Sequence, residues 1–400
     1  MKELVLQLTD VAGPFRFVPY ELVAAVAMLL FGAVVVFGFV LPVAGITSWL
    51  ERRVWARIQS RIGPNRVGPQ GFLQWLADGL KNLLKEDIIP SAADRWLFSL
   101  APYLVVIGFI ATFAVIPFSD VLVIADLNIG ILYVTAVTGL VVVGVLMAGW
   151  SSNNKWSLLG GIRSAAQIVS YEIPAGLSIF PIVLLTGTLS LQEIIRAQGW
   201  APWNWFIFHD PFTFTAFFVF FVAALAEGNR TPFDLPEAES ELVAGFCTEY
   251  SGMRYLLFFL AEWGNLYVIG AIVTTLFLGG WQVPPVTTQP VVLAVLQLGT
   301  FFLKAYFFVF IAMWIRATLP RVRVDQLMTL CWKYMVPIAL VNVVGTALWM
   351  VLVPEAVGQA VAIAMTIGAV AVVVFFFKRV RFHLRRAKLS AADYYYSPII

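Results

Sequence analysis

Charge is scarce in this 400-residue chain. Asp, Glu, Lys and Arg make up only 12% of it, while 60% of its residues are hydrophobic; an ordinary soluble domain is about 25% charged. So few charges cannot cover a globular surface in water, which excludes a soluble enzyme, a disordered chain and a nucleic-acid binder. Histidine and cysteine are nearly absent: His209, His383, Cys247 and Cys331 are the full set. Two cysteines are too few for an iron–sulfur centre or a disulfide framework. No HExxH or CxxC pattern offers a metal site. No cleavable signal is expected, because the first hydrophobic stretch starts near residue 22 and is too long for a signal-peptide core.

What is there is apolar sequence in spans of membrane length, about 20 residues each. Nine are expected: Leu22–Ser48, Trp96–Phe118, Ile129–Trp150, Ala165–Gly187, Phe212–Ala226, Tyr255–Leu278, Val291–Trp314, Trp332–Val353 and Ala356–Phe377. No strand-period alternation occurs, so the fold class is all-α, a polytopic membrane protein. With the N-terminus placed outside (periplasmic), 22 of the 26 Lys and Arg fall in the loops 49–95, 151–164, 227–254 and 315–331, the adjoining Lys333, and the tail, all on the cytoplasmic side. That asymmetry is a strong positive-inside signal, which puts the C-terminus in the cytoplasm.

The first loop opens ERRVWARIQSRIGPNRVGPQ, where Gly63-Pro64 and Gly68-Pro69 end any helix. Beyond it, Phe72, Leu76, Leu80, Leu83 and Leu84 recur at helical spacing opposite Gln74, Asp78, Lys81 and Lys85. This predicts an amphipathic interfacial helix. It serves either as a basic contact with anionic lipid or as the wall of a pocket for an amphiphile with a polar head.

Glu172 lies in the fourth span beside Pro174, with Pro181 further on, and Glu262 lies in the sixth. Intramembrane acids cost about 2.5–3.5 kcal/mol on insertion scales and usually face a polar interior. A proton or ion relay and a purely structural hydrogen bond are the two readings. Lys304, in the seventh span, either extends this polar chain or snorkels. The loop LAEGNRTPFDLPEAESELVAGFCTEYSGMRY carries Glu227, Asp234, Glu237, Glu239, Glu241 and Glu249, interleaved with Phe233, Leu235, Leu242, Val243 and Phe246. A freely solvated loop has no need of those apolar residues, and carboxylates held so closely titrate as coupled groups. If the helix is continuous, Glu249 to Glu262 spans about 20 Å, and the acids then reach from the membrane face towards its middle.

The strings ERRVWARIQSRIGPNRVGPQG, YEIP, EGNRTPFDLPEAESELVAGF, TEYSGMRYLLFFLAEW and WIRATLPRVRVDQLM, in this order, strongly resemble the H-subunit family of bacterial NADH–quinone oxidoreductase, respiratory complex I. The likeness covers roughly residues 20–350, so 1–353 is expected as the family's membrane domain and 354–400 as an extra span with a basic tail. The resemblance implies a membrane subunit of a proton-translocating enzyme in the cell inner membrane, not catalytic alone and binding no cofactor of its own. Quinone is then a substrate, and FMN and iron–sulfur clusters belong to partner subunits. It implies that Arg52, Arg53, Arg61 and Asp78 line a quinone tunnel. It also implies that Glu172, Glu227, Asp234, Glu237, Glu239, Glu241, Glu249 and Glu262 form the acidic coupling path. The expected partners are the quinone-site subunits of the hydrophilic arm, the membrane-arm subunits and membrane lipids. Cys247 departs from the asparagine of many members. A stand-alone proton- or cation-coupled transporter is the alternative, as is the equivalent subunit of a membrane-bound hydrogenase. A transporter predicts an internal repeat, and none is visible.

Overall fold

A computed structural model describes residues 36–236, 239–285 and 289–386. Residues 22–35 of the first expected span, and Glu237, lie outside the described residues, and the side chains of Glu239 and His383 are not described. A π-helical turn, Val36–Val40, leads into α1 (Leu41–Ile58). There follow α2 (Gln74–Leu84), α3 (Arg95–Phe113), α4 (Gly130–Ser151), α5 (Lys155–Thr186), α6 (Leu191–Ala197) and α7 (Pro211–Glu227). The chain continues through α8 (Glu239–Leu242), α9 (Gly252–Phe277), α10 (Pro290–Thr318), α11 (Val324–Thr329), α12 (Val336–Leu352) and α13 (Glu355–Arg386). Every regular element among the described residues is helical. Seven helices are long and apolar enough to cross a membrane, and α7 is a shorter apolar helix.

The helix starts follow from their caps. The Asp94 carboxylate accepts from the Trp96 and Leu97 amides, Asn154 from Trp156, and Asp210 from Phe212 and Thr213, so each satisfies donors that the first turn leaves free. The Asn154 cap starts α5 ten residues before the apolar run expected from Ala165. Helix α5 also runs unbroken through Pro174 and Pro181. Pro174 has no N–H, so the Ser170 carbonyl loses its helical donor. The Cys331 Sγ donates to that oxygen at 3.1 Å, and the Tyr171 hydroxyl donates to the Leu327 carbonyl at 2.9 Å. The Cys331 thiol thus supplies what the proline removes, as a membrane interior requires.

The bundle is built on α5, α9 and α3. Helix α3 packs on α4 and α9, α5 packs on α4, α7 and α12, and α9 packs on α10 and α1. Close approach depends on one glycine in particular: a Cβ on Gly264 would stand 1.9 Å from the Phe109 ring, so only glycine lets α9 meet α3 there. The apolar residues interleaved in the acidic loop are core: Phe233, Leu235, Leu242 and Phe246 are all buried, although Val243 is exposed. Tyr250 stacks on Phe98 and donates to its carbonyl at 3.1 Å. Burial, ahead of every other influence, raises the Tyr250 phenol above its ordinary range and keeps this donor protonated. Helix α13 lies on the outside of the bundle, with Val372, Phe375 and Phe377 exposed, and meets α10 where Phe376 approaches Trp314.

Candidate functional site

Helix α2 is amphipathic as its spacing predicts, and Gln74 and Asp78 of its polar side face the protein while Lys81 and Lys85 are exposed. Leu76, Leu80, Leu83 and Leu84 are exposed, whereas Asn82 is buried and Asp78 is largely covered. Trp75 seats α2 on α1 at Gly45. Asp78 then meets Arg52 on α1 at 2.5 Å and accepts from Gln74 at 3.1 Å. An apolar outer face suits lipid, and a polar inner face suits a lined pocket.

The Gly/Pro loop folds back over α1. Gly71 sits at φ 72, and a Cβ there would stand 2.2 Å from the Pro64 carbonyl oxygen. Arg53 donates to Gln70 Oε1 at 3.1 Å and lies over Trp49, while Arg61 is exposed and donates to Gln59. Of the four expected pocket residues, the fold pairs Arg52 with Asp78 and sets Arg53 and Arg61 apart from that pair.

One helical position before Arg52, Glu51 anchors a buried cluster that local pattern does not announce. Its carboxylate faces Arg230 at 3.0 Å, Arg316 in a short contact, and the Trp263 indole N–H at 2.8 Å. Arg230, only 2% exposed, also meets Glu262 Oε1 at 3.1 Å and donates to the Glu262 carbonyl at 3.2 Å. Arg316 stands 4.0 Å from Glu262. Two carboxylates and two guanidinium groups make the cluster formally neutral, which is how charges survive burial. Glu51, Arg230 and Arg316 were available as signals only in part, as charges abutting the ends of apolar spans.

The acidic loop is close in sequence, yet its acids are distributed in space. Asp234 faces Arg321 at 3.6 Å, Glu241 pairs with Arg163 at 2.6 Å, and Glu249 accepts from Asn154 at 2.6 Å. Gln167, buried on α5, holds the loop by donating to the Ala226 and Phe233 carbonyls, each at 2.7 Å. Glu227 ends α7 inside the bundle. It lines a cavity of about 100 Å³ together with Glu262, Asn229 and Asn265. It also lines a neighbouring cavity of about 50 Å³ with Glu172, Thr135 and Thr138. Most of the side chains lining both cavities are apolar, so these carboxylates, amides and hydroxyls are isolated polar groups in their walls. Glu262 and Glu227 share the wall of the first cavity and Glu227 and Glu172 that of the second, so Glu227 stands in both.

Lys304 is elsewhere. Its ammonium donates to the Leu278 and Gly280 carbonyls at 2.8 and 3.1 Å and sits 4.7 Å over the Trp205 ring. By helix rise, Leu278 is about 24 Å along α9 from Glu262. No group of three or more His, Cys, Asp or Glu that could hold a metal occurs among the described residues.

A family model described as NADH dehydrogenase matches residues 31–347. The H subunit of the NADH-quinone oxidoreductase of Anaeromyxobacter dehalogenans (strain 2CP-C) is 55% identical over 362 residues, covering 86% of this chain and 86% of that protein. The H subunit from Dehalococcoides mccartyi (strain CBDB1) is 50% identical, covering 88% of this chain and 95% of that protein. The one from Chlorobium luteolum (strain DSM 273 / BCRC 81028 / 2530) is 49% identical, covering 76% and 84%. With its buried acids, its several apolar spans and a match over most of its length, this multi-pass membrane chain belongs to the NADH dehydrogenase family, among the H subunits of NADH-quinone oxidoreductase.

Proposed function

We propose that this chain forms the membrane wall of a quinone pocket and the first stretch of an acidic path that couples quinone reduction to proton translocation. The observation that carries the reading is the buried Glu51–Arg230–Glu262–Arg316 cluster. Arg52, next to Glu51 on α1, pairs with Asp78, and Glu262 lines a cavity with Glu227, which lines a second cavity with Glu172.

Arg52, Arg53, Arg61 and Asp78 serve the quinone pocket, with the polar face of α2 as its wall and the apolar face towards lipid. A charge change there reaches Glu262 through Arg230, which touches both carboxylates. Glu262, Glu227 and Glu172 then pass a proton or a reorientation of water along the cavities. Asp234, Glu237, Glu239, Glu241 and Glu249 are assigned to the same coupling path, whereas Lys304, bonded to the carbonyls that close α9, stands apart from it. The redox chemistry is supplied by FMN and iron–sulfur clusters in partner subunits of the hydrophilic arm, and membrane-arm subunits continue the path. The basic loops face the cytoplasm, where the hydrophilic arm docks, and the N-terminus faces the periplasm.

The test uses the intact complex in membrane vesicles. Glu262→Gln and Glu172→Gln lower NADH oxidation through the quinone pool at least tenfold while NADH–ferricyanide activity stays at the wild-type level. Wild-type quinone-linked rates and proton translocation in both variants remove the coupling role. Purification in mild detergent without flavin or iron–sulfur partners favours a transporter instead.

A further inference from the structure

Trp55 stands one turn after Glu51 on α1, on the same helix face. The Arg316 guanidinium, arriving from α10, lies 4.8 Å over its ring while contacting Glu51 beside it. Arg316 is thus held between a carboxylate and an indole face, both from α1. Its placement is lopsided: it is in short contact with Glu51 and 4.0 Å from Glu262, whereas Arg230 serves the two carboxylates nearly equally at 3.0 and 3.1 Å. The Trp55 indole N–H is buried and finds no hydrogen-bond partner among the described residues, and neither does Arg316 Nε. The contact between the two residues therefore runs through the ring face, which attracts a desolvated cation by its quadrupole. The second indole acts differently, since Trp263 reaches Glu51 through its N–H.

We propose that Trp55 is a positioning residue, whose ring face holds Arg316 on Glu51 and so fixes which of the two buried carboxylates that arginine serves. This rests on the coupling role given to the cluster above. A ring is what the role requires; a smaller aliphatic side chain keeps the site apolar but offers a cation nothing. Trp55 acts through Arg316, so its removal costs nothing more once Arg316 is gone.

The experiment is a double-mutant cycle on the assembled complex in membrane vesicles, with decylubiquinone titrated as acceptor and NADH–ferricyanide activity as the control for assembly. Trp55→Leu lowers the quinone-linked kcat about fivefold, the range of one desolvated cation–π contact, at unchanged KM. Trp55→Phe, which keeps a ring face, restores the rate to within about twofold of wild type. In an Arg316→Gln background, Trp55→Leu has no further effect. If Trp55→Leu impairs assembly, Trp55→Met, whose unbranched side chain adapts to an irregular gap, takes its place in the cycle. The inference is overturned if the Leu or Met variant runs at the wild-type rate while Arg316→Gln is slow, or if the two losses multiply. If Arg316→Gln itself runs at the wild-type rate, the coupling role of the cluster falls, and the inference with it.

Discussion

Arg230 reaches Glu51 across 179 positions of sequence and meets it at 3.0 Å, both side chains withdrawn from solvent. The pair ties the acidic loop to α1, and through α1 to the Arg52–Asp78 contact one residue further on. Coulomb energy alone does not make such a pair stabilising, because desolvation offsets it. What the pair does is penalise its own disruption.

Arg230→Gln therefore leaves Glu51 and Glu262 short of a counter-charge in a buried site. The expected cost is about 3–5 kcal/mol. It is read as a lowered thermal midpoint, or as loss of the subunit from the purified complex. Removing a carboxylate together with the arginine, as in Glu51→Gln with Arg230→Met, leaves Glu262 facing Arg316 and recovers part of the lost stability. Equal damage in the single and double variants would show that packing, not uncompensated charge, sets the cost.

The Arg52–Asp78 pair follows a different rule. Its side chains are 37% and 19% exposed, so the ion pair contributes about 0.2–1 kcal/mol to stability. Asp78→Asn consequently leaves the thermal midpoint within about two degrees of wild type. If these residues line the quinone pocket, the variant instead raises the quinone KM about threefold or more, the effect of weakening one polar contact. A thermal loss with an unchanged quinone KM would make the pair a structural tie between α1 and α2.

Much of this was legible in the sequence, and the reason the rest was not is physical. Periodicity and hydropathy report on local chain, so they mark Leu76, Leu80 and Leu83 as one face of α2; whether that face meets lipid or protein is decided by Trp75 docking at Gly45. Glu172 and Glu262 stand out because an acid in an apolar run is costly wherever it lands. Glu51 does not stand out, because it closes a span just where charged loops begin. Its partners Arg230, Trp263 and Arg316 come from distant segments. The crowding of Glu227, Asp234, Glu241 and Glu249 in one loop disperses in three dimensions to separate partners, with Gln167 as the organiser. A lone glutamine in a span gives no hint of two carbonyls waiting for it. Cys331, an ordinary buried thiol by composition, proves to satisfy the carbonyl that Pro174 leaves free.

Lys304 offers a direct contest between two roles. Its two bonds to backbone carbonyls and its place over Trp205 fix the end of α9. Hydrogen bonds from a charged donor contribute about 1.5–3 kcal/mol each before desolvation is discounted. Lys304→Met is expected to lower the thermal midpoint of the complex by several degrees while the quinone-linked rate stays within about twofold. A sharp loss of proton translocation at an unchanged midpoint would instead place Lys304 in the coupling path with the acids.

The last span separates from the rest on three grounds. The family match ends at residue 347, before α13 begins. The apolar window of α13 is only 6% buried within the chain, against 56% for α9. Among the described residues, none of the clustered charges or cavity-lining acids lies beyond Arg321. A helix that covers so little of its own protein contributes little to the bundle's packing, because burial scales with the apolar area removed from the surroundings. Truncation after Pro354 is therefore expected to leave the quinone-linked rate and proton translocation within about twofold of wild type, since no residue of the cluster loses a partner. The Phe376–Trp314 contact is lost, and Trp314 lies two residues before Arg316, so the cluster is the place where an effect would surface. A tenfold slower quinone-linked rate in an assembled, truncated complex would mean that α13 steadies Arg316 from outside the bundle, and would move residues 354–386 from accessory span to working part.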